Sequence, residues 1–264
     1  MKILVPTTLT ASSASYDLHF TIILYRYTII ENVQGVNQLL EFSIPSPRAY
    51  KSKQDYVYQV LRGAIMKCEL NPGQKLIIKE IADLLSVSAI PVREALRLLH
   101  SEDLVEYNAH TGAVVSPISP ESIVETFMLK EALEVVSIKV AIQKVTADAL
   151  EKLKGQLEKM NELIRTENYK LWGHLNTEFH MLITDIADMP LLEEMLLRVL
   201  DKWERIRNYF FSELLMHRHA QSQNEHIAIV TAIEKGDIKE AEQLIKQHNQ
   251  KALDYYMEHI QLDD

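Results

Sequence analysis

Cysteine, glycine and long apolar runs are the scarce features of this 264-residue chain. Its 1 cysteine, Cys68, excludes an intrachain disulfide, which favours a reducing compartment, and we expect a cytoplasmic protein. The 7 glycines are few for a sheet-rich or loop-rich fold. The most apolar early stretch, residues 20–30, is interrupted by Arg26 and is shorter than the roughly 20 residues that a membrane-spanning helix needs. These absences favour a mainly helical protein that has no membrane segment.

The charge of the chain is concentrated in its C-terminal part. The formal net charge is −9. Residues 51–117 carry eight basic and eight acidic side chains, whereas residues 118–264 carry 17 basic and 26 acidic ones. Hydrophobic residues make up 47% and charged residues 25%, which is typical of a soluble globular protein, and the length suits two domains.

The pattern along the chain divides it into three segments. Residues 1–49 show neither a helical nor a strand period, and we interpret them as a poorly ordered extension, with an added strand on a partner's sheet as the alternative. Residues 50–117 contain three apolar stripes at helical spacing and then two short alternating runs that indicate a β-hairpin. Residues 118–264 are predicted to be helical, with spans at about 120–145, 147–166, 169–187, 190–215, 219–235 and 238–260. Their short connections favour an antiparallel all-α bundle.

The third stripe, Val87–Leu99, has the features of a recognition helix. We expect Ser88 to cap the helix through its hydroxyl, and Pro91 to lie in the first turn, where its missing N–H breaks no hydrogen bond. Arg93 and Arg97 lie one turn apart, on a face separate from the apolar stripe. That stripe consists of Val92, Ala95, Leu96 and Leu99. Three helices followed by a hairpin predict a winged helix-turn-helix, which makes double-stranded DNA the first partner to consider.

Two parts of the chain resemble known domains. Residues 53–115 resemble the DNA-binding domain of the GntR family of bacterial transcription regulators, and residues 120–260 resemble the helical FCD effector domain of the FadR-type branch. The first resemblance is carried by Ile65, Asn71–Leu76, Glu80–Leu85, Val87, Ser88, Pro91–Leu96, Gly112 and Val114. Together they imply a homodimeric, effector-responsive regulator, commonly a repressor, that binds a pseudo-palindromic operator.

The resemblance also implies which residues contact DNA. They are Lys79, Ser88, Ala89, Ile90, Arg93, His110, Thr111 and Gly112. The chain departs from the family pattern at Ala89 and Thr111, where arginine is usual, and at Ile90, where threonine is common. We therefore expect either an altered operator, with thymine methyl groups read by Ala89 and Ile90, or weaker binding. An ion pair with a nearby acid is the alternative role for Arg93, and it is at least as plausible for Arg97.

A second set of residues suggests a metal site in the bundle. Asn176 and His180 are four residues apart on one helix face, and His226 and His248 fall on later helices beside apolar residues. Any one of these histidines taken alone is more often an ordinary core or surface residue. The FCD resemblance implies that the set binds a divalent metal of the zinc, nickel or manganese class. Asparagine stands at position 176 where the family usually has aspartate, so we expect weaker metal binding.

Loss of that negative charge favours an anionic effector, such as a small carboxylate or hydroxy acid. Arg205 is a candidate to bind its carboxylate, with a solvated position or a salt bridge as the alternative. Lys130 stands where the family often has an arginine directed at the pocket, which makes it a second candidate.

Two other function classes remain open at this point. A metal-dependent hydrolase or isomerase is one alternative, but the sequence contains no nucleophile motif and no phosphate-binding loop, so we do not expect an enzyme. An adaptor that has lost DNA binding is the other alternative, because the predicted DNA-binding segment carries no net positive charge.

Overall fold

The computed structural model describes residues 50–108, 112–210 and 213–259. The predicted extension at residues 1–49 and the wing residues His110 and Thr111 lie outside the described residues. In the part that is described, the elements are α1 (Lys53–Met66), α2 (Ile78–Leu84), α3 (Ala89–Ser101), β1 (Val105–Asn108), β2 (Gly112–Val115), α4 (Pro120–Lys144), α5 (Ala147–Arg165), α6 (Tyr169–Ala187), α7 (Pro190–Tyr209), α8 (Glu213–Lys235) and α9 (Ile238–His259).

The first three helices and the hairpin form one unit, which we call the head (residues 50–117). Helix α3 packs on α1 and α2 through the predicted apolar stripe, whose four members are fully buried. Strands β1 and β2 pair antiparallel, with Val105 opposite Val115 and Asn108 opposite Gly112. Lys75 forms a bridge to Val114, which ties the segment before α2 to the hairpin. This arrangement confirms the predicted winged helix-turn-helix.

Capping residues mark where the helices begin. Ser119 accepts a hydrogen bond from the Ser122 amide, Ser122 reciprocates, and Pro120 follows at the first helical position. Asp237 caps α9 by accepting a bond from the Glu240 amide at 3.0 Å. Ser88 occupies the N-cap of α3 as predicted, but its side chain makes no capping hydrogen bond. The expectation about its hydroxyl was therefore wrong, and the hydroxyl is exposed.

Helices α4–α9 form the second unit, which we call the bundle. Helix α4 lies at its centre and packs against α6, α7 and α9, while α5 packs on α6 and α8. The structure thus confirms the predicted mainly α fold class and the helical bundle. No helix in the described ranges is long and apolar enough to cross a membrane.

One helix boundary differs from the sequence expectation. The predicted span 190–215 ends at Tyr209, and α8 begins at Glu213 rather than near residue 219. Residues 206–218 contain neither glycine nor proline, so the local sequence offers no stop signal there.

Helix α7 joins the bundle to the head. Asp201 receives a charged hydrogen bond from Arg62 on α1, and Lys202 pairs with Asp103 at 2.9 Å. The Asn208 amide donates to the Met66 carbonyl at 2.9 Å. One face of α7 therefore touches the end of α1 and the turn after α3.

Candidate functional site

The outer face of α3 is exposed and carries several of the predicted DNA-reading residues. Ser88, Ala89 and Ile90 are exposed at the start of the helix, and 67% of Ile90 is accessible. An apolar side chain so exposed at the N-terminus of a recognition helix suits contact with a thymine methyl group.

The two arginines of α3 are also exposed. In the described part of the chain neither Arg93 nor Arg97 forms an ion pair, and the same holds for Lys79 at the start of α2. The acidic side chains near them therefore do not neutralise these cations. Free guanidinium and ammonium groups on one face can contact phosphates and guanine edges, which offsets the zero net charge of the head.

Gly112 is the predicted wing contact that the structure describes. It has a φ of +78°, a conformation that favours glycine, and it begins β2 at the hairpin turn. His110 and Thr111, which complete the predicted wing contacts, lie in the gap at residues 109–111, outside the described ranges.

The three predicted metal-ligating histidines come together inside the bundle. Each of His180, His226 and His248 is at most 5% exposed, and their ring centroids are 4.7–5.4 Å apart. One ligand atom from each lies within 4.8 Å of the other two. They reach this point from α6, α8 and α9, three elements far apart in sequence.

These rings are in the protonation state that metal coordination needs. Burial lowers the pKa of His180 to about 4, lowers that of His226 well below its ordinary value, and lowers that of His248. The rings are therefore neutral at neutral pH and keep a lone pair for coordination. Neither nitrogen of His226, nor Nε2 of His180, has a hydrogen-bond partner among the described residues. Buried nitrogens without partners are costly unless a ligand satisfies them, so the donor set fits a divalent cation of the borderline class.

Two carboxylates that the sequence analysis did not select as ligand partners orient the imidazoles. Glu225 Oε2 lies 2.8 Å from His248 Nδ1, and Glu134 Oε1 lies 2.8 Å from His180 Nδ1, although the second contact is not aligned as a hydrogen bond. Both contacts occupy the Nδ1 side and leave Nε2 for a metal. Burial alone would raise the pKa of Glu225, but bonds from His248 and Arg218 outweigh it and hold the pKa at about 2.

Glu134 could have been found from the helical period of α4. It lies in the buried stripe of that helix, one turn after Lys130, where apolar residues are expected. A charged pair at i and i+4 within an apolar stripe indicates a buried ionic site. Lys130 Nζ donates to Glu134 and to Asn249 Oδ1, each at 2.9 Å, and lies 5.3 Å from the Trp203 ring centroid.

A small cavity of about 50 Å³ adjoins the histidine cluster at His248. Asn176 and Lys130, both selected from the sequence, line it together with His248. Its other lining residues are Phe127, Trp172, Trp203, Arg207, Arg218, His219, Ser222, Ala252 and Tyr256. The volume suits a small polar molecule of a few heavy atoms.

Arg205, the other predicted effector residue, does not line this cavity. Its guanidinium donates to the Ser116 carbonyl, and its own carbonyl accepts from the Cys68 thiol at 3.7 Å. The structure thus places Arg205 between head and bundle, because two positions along a helix rotate a side chain by about 200°. Arg207 lies on the cavity side instead.

His219, which the sequence analysis did not select, also lines the cavity. It is 6% exposed, stacks on Tyr169 at 4.8 Å and lies edge-on to Trp172.

Known protein families match both the head and the bundle. Residues 53–115 match the family described as bacterial regulatory proteins, gntR family, and residues 125–251 match the FCD domain. The transcriptional repressor RspR of Escherichia coli K12 is 27% identical over 195 residues, which cover 74% of this chain and 85% of RspR. The uncharacterised regulator YdhC of Bacillus subtilis is 26% identical over 79% of this chain and 91% of its own.

Solved structures share the fold. The structure of E. coli McbR/YncC superposes with a TM-score of 0.65 at 21% identity, and covers 79% of this chain and 99% of its own. A putative GntR regulator from Rhodococcus sp. RHA1 gives a TM-score of 0.64 at 23% identity, with coverage of 80% and 100%.

The family and the relatives are transcription regulators rather than enzymes, which removes the hydrolase alternative. A winged head, a bundle around a histidine cluster and these matches lead to one assignment: the chain is a transcription regulator of the GntR family, with an FCD domain as its C-terminal unit.

Proposed function

We propose that this regulator binds a divalent metal in the bundle and responds to a small anionic effector in the adjoining cavity. The observation that carries the proposal is the cluster of three buried, neutral histidines whose ligand atoms lie within 4.8 Å of one another. A structural core histidine would satisfy its ring nitrogens within the protein, and His226 does not do so among the described residues.

His180, His226 and His248 would hold the metal, and the Asn176 amide oxygen is available beside them. The metal would supply a Lewis-acidic position for a carboxylate oxygen. The chain itself contributes the orientation of the imidazoles, through Glu134 and Glu225, and the cavity beside them.

The metal proposal is tested by elemental analysis of the purified protein, before and after incubation with zinc, nickel or manganese. We expect about one ion per chain in the wild type, because three preoriented imidazoles form one site. The His226→Ala variant should lose this metal ion. His174→Ala is the matched control, since His174 lies on the exposed side of α6. Fewer than a tenth of wild-type chains carrying metal after reconstitution would overturn the proposal.

At the level of DNA, we propose a homodimeric repressor that binds a pseudo-palindromic operator. A two-fold dimer presents two recognition helices related by the same symmetry as the two half-sites. RspR is named a transcriptional repressor, which supports repression rather than activation by this chain. Effector binding would favour one arrangement of the heads and so change operator affinity.

The dimer proposal draws support from an apolar stripe on the outer face of α4. Leu129, Ala132 and Val136 share this face at helical spacing, and 47% of Leu129 and 41% of Val136 are accessible. A shallow groove along residues 120–129 continues it. Exposed apolar surface of this kind commonly marks a protein interface.

A further inference from the structure

The exposed face of α3 carries a basic side chain that the sequence analysis did not select. His100 follows Arg93 by seven residues and Arg97 by three, so the three side chains share one face of the helix. All three are exposed. His100 therefore continues the line of basic groups toward the end of α3, where β1 packs against the helix.

Two contacts from β1 fix the orientation of the imidazole. Nδ1 of His100 lies 2.7 Å from the Val105 carbonyl oxygen, and the Tyr107 ring lies edge-on to the imidazole, with the two centroids 5.4 Å apart. A carbonyl oxygen can only accept a hydrogen bond, so Nδ1 carries a proton and donates it. Nε2 of the neutral ring is then an acceptor, and it becomes a donor only when the imidazole takes up a second proton.

The acidic side chains that follow this histidine are engaged elsewhere. Glu102 accepts hydrogen bonds from Tyr58 and Arg62 on α1, and Asp103 pairs with Lys202 on α7 at 2.9 Å. The other ionisable side chains on α2, α3 and β1 include Lys79, Glu80, Asp83, Glu94, Arg97 and Glu106. In the described part of the chain none of these groups forms an ion pair with the imidazole, which leaves its exposed side open to a ligand.

The boundary between α3 and β1 lies where a bound duplex presents its phosphates. An α-helix with its side chains is about 10–12 Å across and the major groove is about 12 Å wide, so a recognition helix fills the groove. A strand packed alongside that helix, as β1 is along α3, then meets the sugar–phosphate backbone that borders the groove. His100 and Tyr107 lie at this boundary, and Nε2 of His100 lies across the ring from the nitrogen that binds Val105.

We propose that His100 contacts a DNA phosphate through Nε2 and thereby makes operator affinity depend on pH. The protonated imidazole donates from Nε2 to a phosphate oxygen while Nδ1 keeps its bond to Val105. The neutral imidazole presents a lone pair to the same oxygen, which is unfavourable. Affinity is therefore highest at low pH and falls as the imidazole loses its proton. This inference rests on DNA binding by the head and is independent of the metal and effector proposals.

The test measures DNA affinity of the full chain at about pH 6 and about pH 8, which bracket the titration of an imidazole. Fluorescence anisotropy is recorded with a duplex that the wild-type protein has selected from random sequences. We expect about three- to tenfold tighter binding at the lower pH, because one charge-assisted contact is added. The slope of log affinity against log salt should be steeper by about 0.9 at the lower pH, since one more phosphate is neutralised.

The variant His100→Asn isolates the role of Nε2. The asparagine amide can donate to the Val105 carbonyl in place of Nδ1, but it takes up no proton in this pH range. This variant should lower the ratio of the two affinities by about threefold or more. His110, the other histidine of the head, is a predicted DNA contact, so the comparison is repeated in a His110→Asn background.

Two further variants separate charge from structure. His100→Lys carries a positive charge at both pH values, so it should bind DNA more tightly than His100→Asn at the higher pH. His174→Asn is the matched control, because His174 is an exposed histidine of the bundle, and it should keep the wild-type ratio.

The inference is overturned if wild-type affinity is equal at both pH values, or if folded His100→Asn keeps the wild-type ratio in both backgrounds. Circular dichroism shows whether that variant folds. If it does not, calorimetry of His110→Asn protein in buffers of different ionisation enthalpy measures the protons taken up on DNA binding. Proton uptake supports the inference, and its absence overturns it. Protein that binds no duplex at either pH contradicts DNA regulation as well, whereas binding without pH dependence rejects the role of His100 alone.

Discussion

At the scale of single residues, the exposed face of α3 combines the helix-turn-helix geometry with side chains that depart from the family pattern. Ala89 and Ile90 present methyl groups where an arginine and a threonine were expected from the family pattern, and Arg93 follows them on the exposed face. Hydrophobic contact with thymine and guanidinium contact with guanine are complementary ways of reading a major groove. We therefore expect Arg93 to carry most of the charged DNA contact at the start of α3.

Replacement of Arg93 by alanine should weaken operator binding and relax its specificity. Loss of one good base contact costs about 1–3 kcal/mol of discrimination. The measurement is fluorescence anisotropy with operator and unrelated duplexes over a range of salt concentrations, and Arg97→Ala, one turn further along α3, is the comparison.

The salt series also tests the adaptor alternative. A DNA-binding protein loses affinity steeply as salt rises, because phosphate contacts release counterions. Wild-type protein that shows neither a salt dependence nor a sequence preference would contradict regulation through DNA. Operator specificity in Arg93→Ala that equals the wild-type value would contradict the role expected of that residue.

At the scale of elements, α4 and α7 connect the two units. Helix α4 starts directly after the head, and its buried stripe reaches the cavity at Lys130, which pairs with Glu134. Helix α7 presents Trp203 and Arg207 to the cavity, while Asp201 and Asn208 contact the head. We therefore expect a change at the cavity to act on the head through α7.

The capping box that begins α4 should contribute measurably to stability. Ser119→Ala removes the acceptor for the Ser122 amide, and the loss of an N-cap costs about 0.5–2 kcal/mol. Urea unfolding followed by circular dichroism measures the change. Ser119→Asp keeps an acceptor at the cap and should remain close to wild type, and an equal loss in both variants would show that capping is not the cause.

At the scale of the whole molecule, the proposed dimer places two heads against one operator. The exposed α4 stripe then becomes the surface through which two bundles pack. Leu129 and Val136 are seven residues apart on that face, so charges placed at both would meet the partner at two points about two turns apart.

A double variant tests this arrangement. Leu129→Glu combined with Val136→Glu should shift sedimentation equilibrium from dimer to monomer, because burial of two unpaired carboxylates is unfavourable. Leu171→Glu, at a residue with 45% exposure on α6, should leave the dimer intact. A double variant that sediments as wild type would place the interface elsewhere, and a monomeric wild type would contradict the dimer itself.

Local patterns in the sequence determined most of the architecture. Helical periodicity placed nearly all helices, proline and serine at 119–120 marked the start of α4, and the motif from Val87 to Leu96 identified the head. The end of α7 at Tyr209 was not predicted, since no glycine or proline interrupts the chain there. These features depend on neighbours within a few residues, which a sequence displays directly.

Tertiary structure alone decided which charges face the cavity. The sequence analysis selected Arg205 beside Lys130 as an effector candidate, yet the rotation of α7 turns Arg205 toward the head and Arg207 toward the cavity. The same packing brings Glu134 and Glu225 to the histidines and places Gly173 under the Arg207 guanidinium. The relative rotation of packed helices depends on contacts between distant segments, and a local pattern carries no direct record of those contacts.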